Sequence, residues 1–176
     1  DPACDVIVIG GGPAGSSIAA LLASRGRDVA LLEKTHHPRF HIGESLLPAN
    51  MPLFGKLGVA DAIDALGMEK WGATFVSPWH DHTTRFKFAD ATDPSMPKAY
   101  QVRRAAFDEV LFRRATEVGA ETHENARVRE FDLGSASSAP RVSATMGDGS
   151  TREWRPRFIV DATGRDTLLG NRLGIK

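Results

Sequence analysis

Residues Asp5 to Gly15 constrain this chain more than any other stretch. Val6-Ile7-Val8-Ile9 is an unbroken apolar run, which predicts a strand buried on both faces of a parallel sheet. It leads into Gly10-Gly11-Gly12-Pro13-Ala14-Gly15, a G-x-G-x-x-G spacing with glycines at 10, 12 and 15. Gly10 permits a tight turn, Gly12 lets the backbone approach a pyrophosphate, and Gly15 lets the next helix lie close to the strand. A helix predicted over about 13–24 carries Ile18, Leu21 and Leu22 at helical spacing. The amides of its first turn, around Pro13, Ala14 and Gly15, have no helical partner and face the phosphates. Gly26 ends this helix, Val29-Ala30-Leu31-Leu32 predicts a second buried strand, and Glu33 stands at its tip. An acid roughly twenty residues beyond the glycines is placed to grip a ribose hydroxyl pair. Strand, turn, helix, strand and acid agree on a dinucleotide site. An acid rather than a base at position 33 favours an unphosphorylated ribose, so NAD or FAD over NADP.

Composition narrows the class. The 176 residues include 22 basic and 22 acidic side chains, so bulk charge points to neither nucleic acid nor an anionic membrane as a partner. Hydrophobic residues make up 41%, yet no apolar run approaches a membrane span. Cys4 is the single cysteine, which rules out an internal disulfide and makes a reducing, cytoplasmic setting the expectation. The chain starts almost on its first strand and stops soon after Gly174, and we expect it to be part of a larger protein. His36, His37 and His41, with His80-Asp81-His82, invite a metal reading. They lack the helical i, i+4 spacing around an acid and any cysteine ligand, so no metal is expected.

A second stretch, Pro38-Arg39-Phe40-His41-Ile42-Gly43-Glu44-Ser45-Leu46-Leu47-Pro48, reads as a loop entering a short helix. Ser45 lacks the G-x-S-x-G surroundings of a nucleophile and reads as a helix-start serine. Residues 38 to 48 closely resemble the flavin-dependent halogenases and their FAD-dependent monooxygenase relatives, the tryptophan-halogenase-like group. The resemblance implies that Arg39 and the backbone of Gly43, Glu44 and Ser45 lie along FAD, with Lys34 beside them. Two short helices broken near Gly58 should follow. Halogenases of this group use a lysine to position hypohalous acid. The family spacing lands on Pro52, so the candidate here is Lys56, one helical turn further along.

Trp71 to Val76 and Arg85 to Ala89 predict strands joined by a polar turn. Trp71, Phe75, Trp79, Phe86 and Phe88 are expected to pack this sheet; the other reading has them facing an aromatic substrate. Tyr100-Gln101-Val102-Arg103-Arg104-Ala105-Ala106-Phe107-Asp108 resembles the family junction where the chain returns to the nucleotide fold, with Arg104 contacting FAD. Phe107, Leu111 and Ala115 form the core stripe of the helix that follows. Residues 120–123 should add a third parallel strand. Val128 to Leu133, Arg141 to Met146 and Thr151 to Trp154 should be short meander strands, with a Ser/Ala-rich loop at Gly134 to Pro140. Arg157 to Asp161 predicts a separate buried strand ending in Asp161-Ala162-Thr163-Gly164, again resembling the family turn that closes over the cofactor. Asp161, Ala162, Gly164 and Val128 complete the expected FAD contacts.

The resemblance covers essentially the whole chain and implies an α/β, Rossmann-like FAD-binding fold of three ββα layers. It includes a β-meander crossover and the start of a substrate-domain sheet. Residues 1–70 would begin the FAD-binding domain, 71–100 would belong to the substrate domain, and 101–176 would return to the first. NAD-only dehydrogenases lack the last three signatures, which favours FAD. The family's later Gly-Asp and Trp-x-Trp-x-Ile-Pro motifs are not found here; Gly147-Asp148-Gly149-Ser150 reads as a hairpin turn instead. The implied enzyme activates O2 at reduced flavin to halogenate or hydroxylate a small organic substrate. Halide is a co-substrate in the first case, and a flavin reductase is one expected electron donor. Two alternatives are a flavoprotein reductase of the geranylgeranyl-reductase type and a non-catalytic nucleotide-binding fragment.

Overall fold

The computed structural model describes residues 3–135 and 138–175; Ala136 and Ser137, within the expected Gly134–Pro140 loop, lie outside the described residues. In chain order the elements are β1 (Ala3–Ile9), α1 (Pro13–Ala23), β2 (Val29–Leu32), α2 (Met51–Leu57) and α3 (Ala60–Leu66). Next come β3 (Met68–Lys70), β4 (Gly72–Ser77), β5 (His82–Lys87), β6 (Ala99–Gln101) and α4 (Arg104–Glu117). The chain closes with β7 (Glu121–His123), β8 (Arg127–Asp132), β9 (Arg141–Thr145), β10 (Thr151–Asp161) and α5 (Leu168–Arg172). These form two compact units, Asp1–Arg39 with Asp108–Lys176, and Phe40–Phe107.

The first unit is built on a six-stranded sheet of order β7-β2-β1-β10-β9-β8. The β1–β2, β2–β7 and β1–β10 pairs are parallel, and β10–β9 and β9–β8 are antiparallel. Every residue of β2 is buried, as a strand covered on both faces requires. Ile7, Ile9, Ala30 and Leu32 pack with Val142, Ala144 and Trp154 of the meander strands in one apolar cluster. α1 packs on the parallel strands β1 and β2.

The side of α1 that packs inward is made of Gly15, Ser16, Ala19, Ala20 and Ala23, whereas Ile18, Leu21 and Leu22 stay half-exposed. A helix drawn close to its sheet by a glycine turn has room only for small side chains there. The strands expected at 151–154 and 157–161 are one eleven-residue strand, β10. Its Thr151 to Trp154 pair with β9, and Arg155 to Asp161 pair with β1. Pro156 falls just past the end of the β9 ladder, so its missing N–H breaks no bond on that side.

In the second unit, α2 and α3 are separated by Gly58, whose φ of 70° is the left-handed geometry that ends a helix. Phe54, Leu57, Ile63, Phe88, Tyr100 and Phe107 are buried, with Phe54 and Phe107 edge to face at 5.6 Å. β3 pairs with β6, and β4 with β5 as a hairpin. The aromatic residues of that hairpin do not pack a core: Trp71, Phe75, Trp79 and Phe86 are exposed, and Phe88 alone of the five is buried. A two-stranded hairpin has no second layer of its own to cover its faces. An open cleft of about 280 Å³ is lined by Trp71, Gly72, Ala73, Thr74, Arg85, Phe86 and Lys87.

Candidate functional site

The glycine loop and the Asp161–Gly164 turn meet at the ends of β1 and β10. Ala162 N–H donates to Ile9 O at 2.8 Å, so the two adjacent parallel strands finish side by side. Gly10 has φ 110° and sits so close to Ala162 that a Cβ would lie 2.4 Å from its carbonyl oxygen. At residue 15 a Cβ would lie 1.8 Å from Gly10 O, so α1 starts directly against the loop. Gly12 is different: a Cβ there would meet only Arg39 Nη2, at 3.7 Å. Gly12 is also the N-cap of α1, and no side chain caps that helix. Pro13 has no N–H to satisfy, and Ala14 is exposed. What remains is an uncapped helix start with open space over it, which suits an anionic group.

Glu33 is buried at the tip of β2, and donors converge on its carboxylate. Gly11 N–H reaches Oε2 at 2.8 Å, Thr35 N–H and Oγ1–H reach Oε1 at 2.9 and 2.7 Å, and Arg39 Nη2 lies 3.4 Å from Oε2. Burial pushes this carboxyl up, but the Thr35 hydroxyl, Arg39 and the Gly11 amide outweigh it and hold it below its usual range. A ribose hydroxyl joining this set competes most easily with Arg39, the longest of the four contacts. Arg39 is held from its other side by fully buried Asp108, Nη1 to Oδ2 at 3.2 Å. Its Nε is buried with no acceptor among the described residues. The sequence did not mark Asp108 as a site residue, because its partner Arg39 lies far from it along the chain.

The distal turn holds itself together. Asp161 Oδ1 accepts Thr163 N–H and its hydroxyl at 3.0 and 2.6 Å, and Oδ2 accepts Leu169 N–H at 2.8 Å. Asp161 thus fixes the turn and the start of α5, and the surface it offers a ligand is the backbone of Ala162 to Gly164. Lys34 pairs with Asp166 of the same turn. Val128 leans on the apolar cluster beside Ala126, whose N–H donates to Glu33 O at 2.8 Å.

Within the second unit, Arg104 donates to the carbonyls of Ile42 and Gly43 at 2.7 and 3.4 Å, bracing the loop that precedes Glu44 and Ser45. Val102 N–H donates to Glu44 O at 2.9 Å. Ser45 is not at a helix start: it bridges Gln101, and the 3-10 turn that follows begins at Pro48. Lys70 donates to Ser45 Oγ and to Leu46 O, the latter at 2.8 Å, with its ammonium 5.4 Å from the Phe88 ring centroid. Lys56 is exposed near the end of α2. Sequence spacing alone could not find Lys70, which reaches Ser45 only because β3 pairs with β6 and Ser45 bridges β6. His36 and His37 both contact Glu124, and among the described residues no three His, Cys, Asp or Glu side chains are arranged to hold a metal ion.

A predominantly parallel α/β sheet with a glycine turn, an open helix start and a terminal acid defines a dinucleotide-binding protein. The FAD binding domain family matches residues 3–176, and the chain belongs to that family. The flavin-dependent halogenase armH4 of Armillaria mellea is 35% identical, over 97% of this chain and 34% of its own length. The 1H-pyrrole-2-carbonyl-[peptidyl-carrier protein] chlorinase of Pseudomonas fluorescens is 33% identical, over 98% of this chain and 42% of its own. The solved structure of the myxobacterial chondrochloren halogenase CndH superposes with a TM-score of 0.85 at 37% identity, covering 93% of this chain and 38% of that one. The chain therefore spans about a third to two fifths of the length of these relatives.

FAD is the cofactor of this chain, and its residues fit that group. The space over Gly12, the uncapped start of α1 and the buried Arg39 Nε without an acceptor are features that a pyrophosphate and ribose would use. Among the described residues, no helix is long and apolar enough to cross a membrane.

Proposed function

We propose that this chain is the FAD-holding portion of a flavin-dependent halogenase or monooxygenase acting on a small organic molecule. The observation that carries the reading is the contact of the Gly10 loop with the Ala162 turn beside an uncapped α1, in a chain whose matching relatives include halogenases. Those relatives disfavour the geranylgeranyl-reductase reading. In this account Gly12 to Gly15 receive the pyrophosphate through backbone amides, and Glu33 and Arg39 receive the ribose. Ala162 and Gly164 line the cofactor with backbone, while Lys34 and Val128 border it. Gly43, Glu44, Ser45 and Arg104 contribute a second set of cofactor contacts. We assign residues 1–70 and 101–176 to the FAD-binding domain and 71–100 to the substrate domain.

Bound and reduced, FAD supplies reactivity toward O2; the protein orients the partners and excludes water. Two lysines compete for the role of hydrogen-bond donor to hypohalous acid. Lys70 is favoured over Lys56 because its ammonium is already tied to Ser45 and Leu46. Halide and O2 are the proposed co-substrates, and a flavin reductase the proposed electron donor.

The test supplies the full protein with reduced FAD, O2 and bromide, using monochlorodimedone as a trap for hypohalous acid. Bromination of the trap supports the halogenase reading, and oxygen uptake with a hydroxylated product supports the monooxygenase. Absence of oxygen uptake contradicts both. In the halogenase case Lys70→Met abolishes bromination while FAD stays bound, and Lys56→Met leaves it within about twofold.

A further inference from the structure

Gly11, the middle glycine of the loop, has both backbone polar groups held by side chains. Its N–H donates to Glu33 Oε2 at 2.8 Å, and its carbonyl accepts from Ser16 Oγ at 3.1 Å. The same carbonyl faces His37 Nε2 at 3.1 Å. His37 is fully buried, with its ring stacked on Phe112 at a centroid distance of 4.5 Å. Its other ring nitrogen, Nδ1, lies 2.9 Å from Glu124 Oε1, which also accepts the His37 backbone N–H at 2.6 Å.

A carbonyl oxygen can only accept a hydrogen bond. Glu124 is in the same position. Burial pushes its carboxyl up, but the His37 backbone and ring and the Arg113 guanidinium outweigh that and hold it below its usual range, so it is ionised. Each ring nitrogen therefore faces an acceptor, and the ring spans from the Glu124 carboxylate to the loop carbonyl.

The Gly11 carbonyl and the Gly12 N–H belong to one planar trans peptide and point in opposite directions. Holding the carbonyl toward His37 turns the Gly12 amide the other way, out of the buried side of the loop. Gly12 is the residue with open space beside it.

We propose that His37 is a positioning residue for the cofactor: its ring, stacked on Phe112 and anchored by Glu124, acts with Ser16 Oγ to set the plane of the Gly11–Gly12 peptide and so aims the amide that receives the FAD pyrophosphate. This rests on reading Gly10 to Gly15 as the pyrophosphate site. The charged and titratable groups around the ring are Glu124, between β7 and β8, and Arg113 of α4, 3.1 Å from Glu124 Oε2. His36, on the same loop, lies 3.0 Å from that oxygen, and Glu33 holds the Gly11 amide from the far side. Without the imidazole ring the Gly11 carbonyl keeps Ser16 Oγ but loses its second partner, so the peptide is less firmly set and FAD affinity falls.

The test is calorimetric titration of FAD, with urea melts to read folding. His37→Phe keeps the stack on Phe112 and loses both hydrogen bonds; its FAD dissociation constant should rise about tenfold. His37→Gln, whose side-chain amide can still donate to the Gly11 carbonyl, should recover most of that affinity. Glu124→Ala keeps the ring and removes its anchor, so it should weaken FAD binding in the same direction; this variant decides the matter if His37→Phe does not fold. A folded His37→Phe that binds FAD with wild-type affinity, or a folded His37→Gln no better than His37→Phe, overturns the proposal. Wild-type protein that binds no FAD overturns the reading of the loop, and this proposal with it.

Discussion

Gly10 and Ala162 touch through their backbones, with room for no side-chain carbon on the glycine. This contact joins the first turn of the chain to the last one before α5, and makes one rim from two distant signatures. A methyl group at position 10 must move the Ala162 peptide and also adopt φ 110°. Gly10→Ala should therefore lower the unfolding free energy by about 2 kcal/mol or more, read as a lower urea midpoint at unchanged slope. FAD affinity should fall with it.

Asp161 sets a pH dependence of stability. Burial pushes its carboxyl up, but the Thr163 hydroxyl and amide and the Leu169 amide outweigh it and hold it low. Glu33 and Glu124 are held low as well. A carboxylate with a depressed folded-state pKa contributes stability above its unfolded value, near about 4, and loses it as pH falls through the folded value. Urea melts from pH 7 downward should show a steep loss of stability below about pH 4. Asp161→Asn, which cannot accept all three donors, should cost about 2 kcal/mol at pH 7 and flatten that loss.

Arg39 is clamped between Glu33 and Asp108, with its side chain 13% exposed. Removing it leaves two buried carboxylates facing each other. Arg39→Ala should destabilise by about 3 kcal/mol or more in chemical denaturation. Arg39→Lys should recover little, since a single ammonium cannot span both acids as the forked guanidinium does. Keeping the cluster's net charge unchanged with Arg39→Met and Asp108→Asn together should be milder than Arg39→Ala alone.

The parts of the fold that depend on local pattern were legible in the sequence. β1, α1, β2 and Glu33 lie where apolar runs and glycines placed them, because a buried parallel strand and a glycine turn leave few alternatives. The inward side of α1 was not picked out, since Ile18, Leu21 and Leu22 outweigh alanines on any hydrophobicity count although only small residues fit against the sheet. β10 was read as two strands because Pro156 interrupts its pattern, and the switch of partner from β9 to β1 is a tertiary fact. The His37–Glu124 and Lys70–Ser45 contacts were invisible for the same reason. Each joins residues brought together only by strand pairing or by the passage of α4.

The central claim is that α1 is left uncapped at Gly12 so that the cofactor pyrophosphate can take the place of a cap. Gly12→Asp tests it most directly. Residue 12 has φ −77°, which any side chain tolerates, and a Cβ there meets nothing closer than Arg39 Nη2 at 3.7 Å. An aspartate at an N-cap stabilises a helix by about 1 kcal/mol, while placing negative charge where the phosphates belong. Calorimetric titration of FAD should show saturable one-to-one binding in the wild type. In a variant that melts no lower than wild type, the dissociation constant should rise more than about a hundredfold, the equivalent of roughly 3 kcal/mol. A folded Gly12→Asp protein that binds FAD as tightly as the wild type would contradict the account.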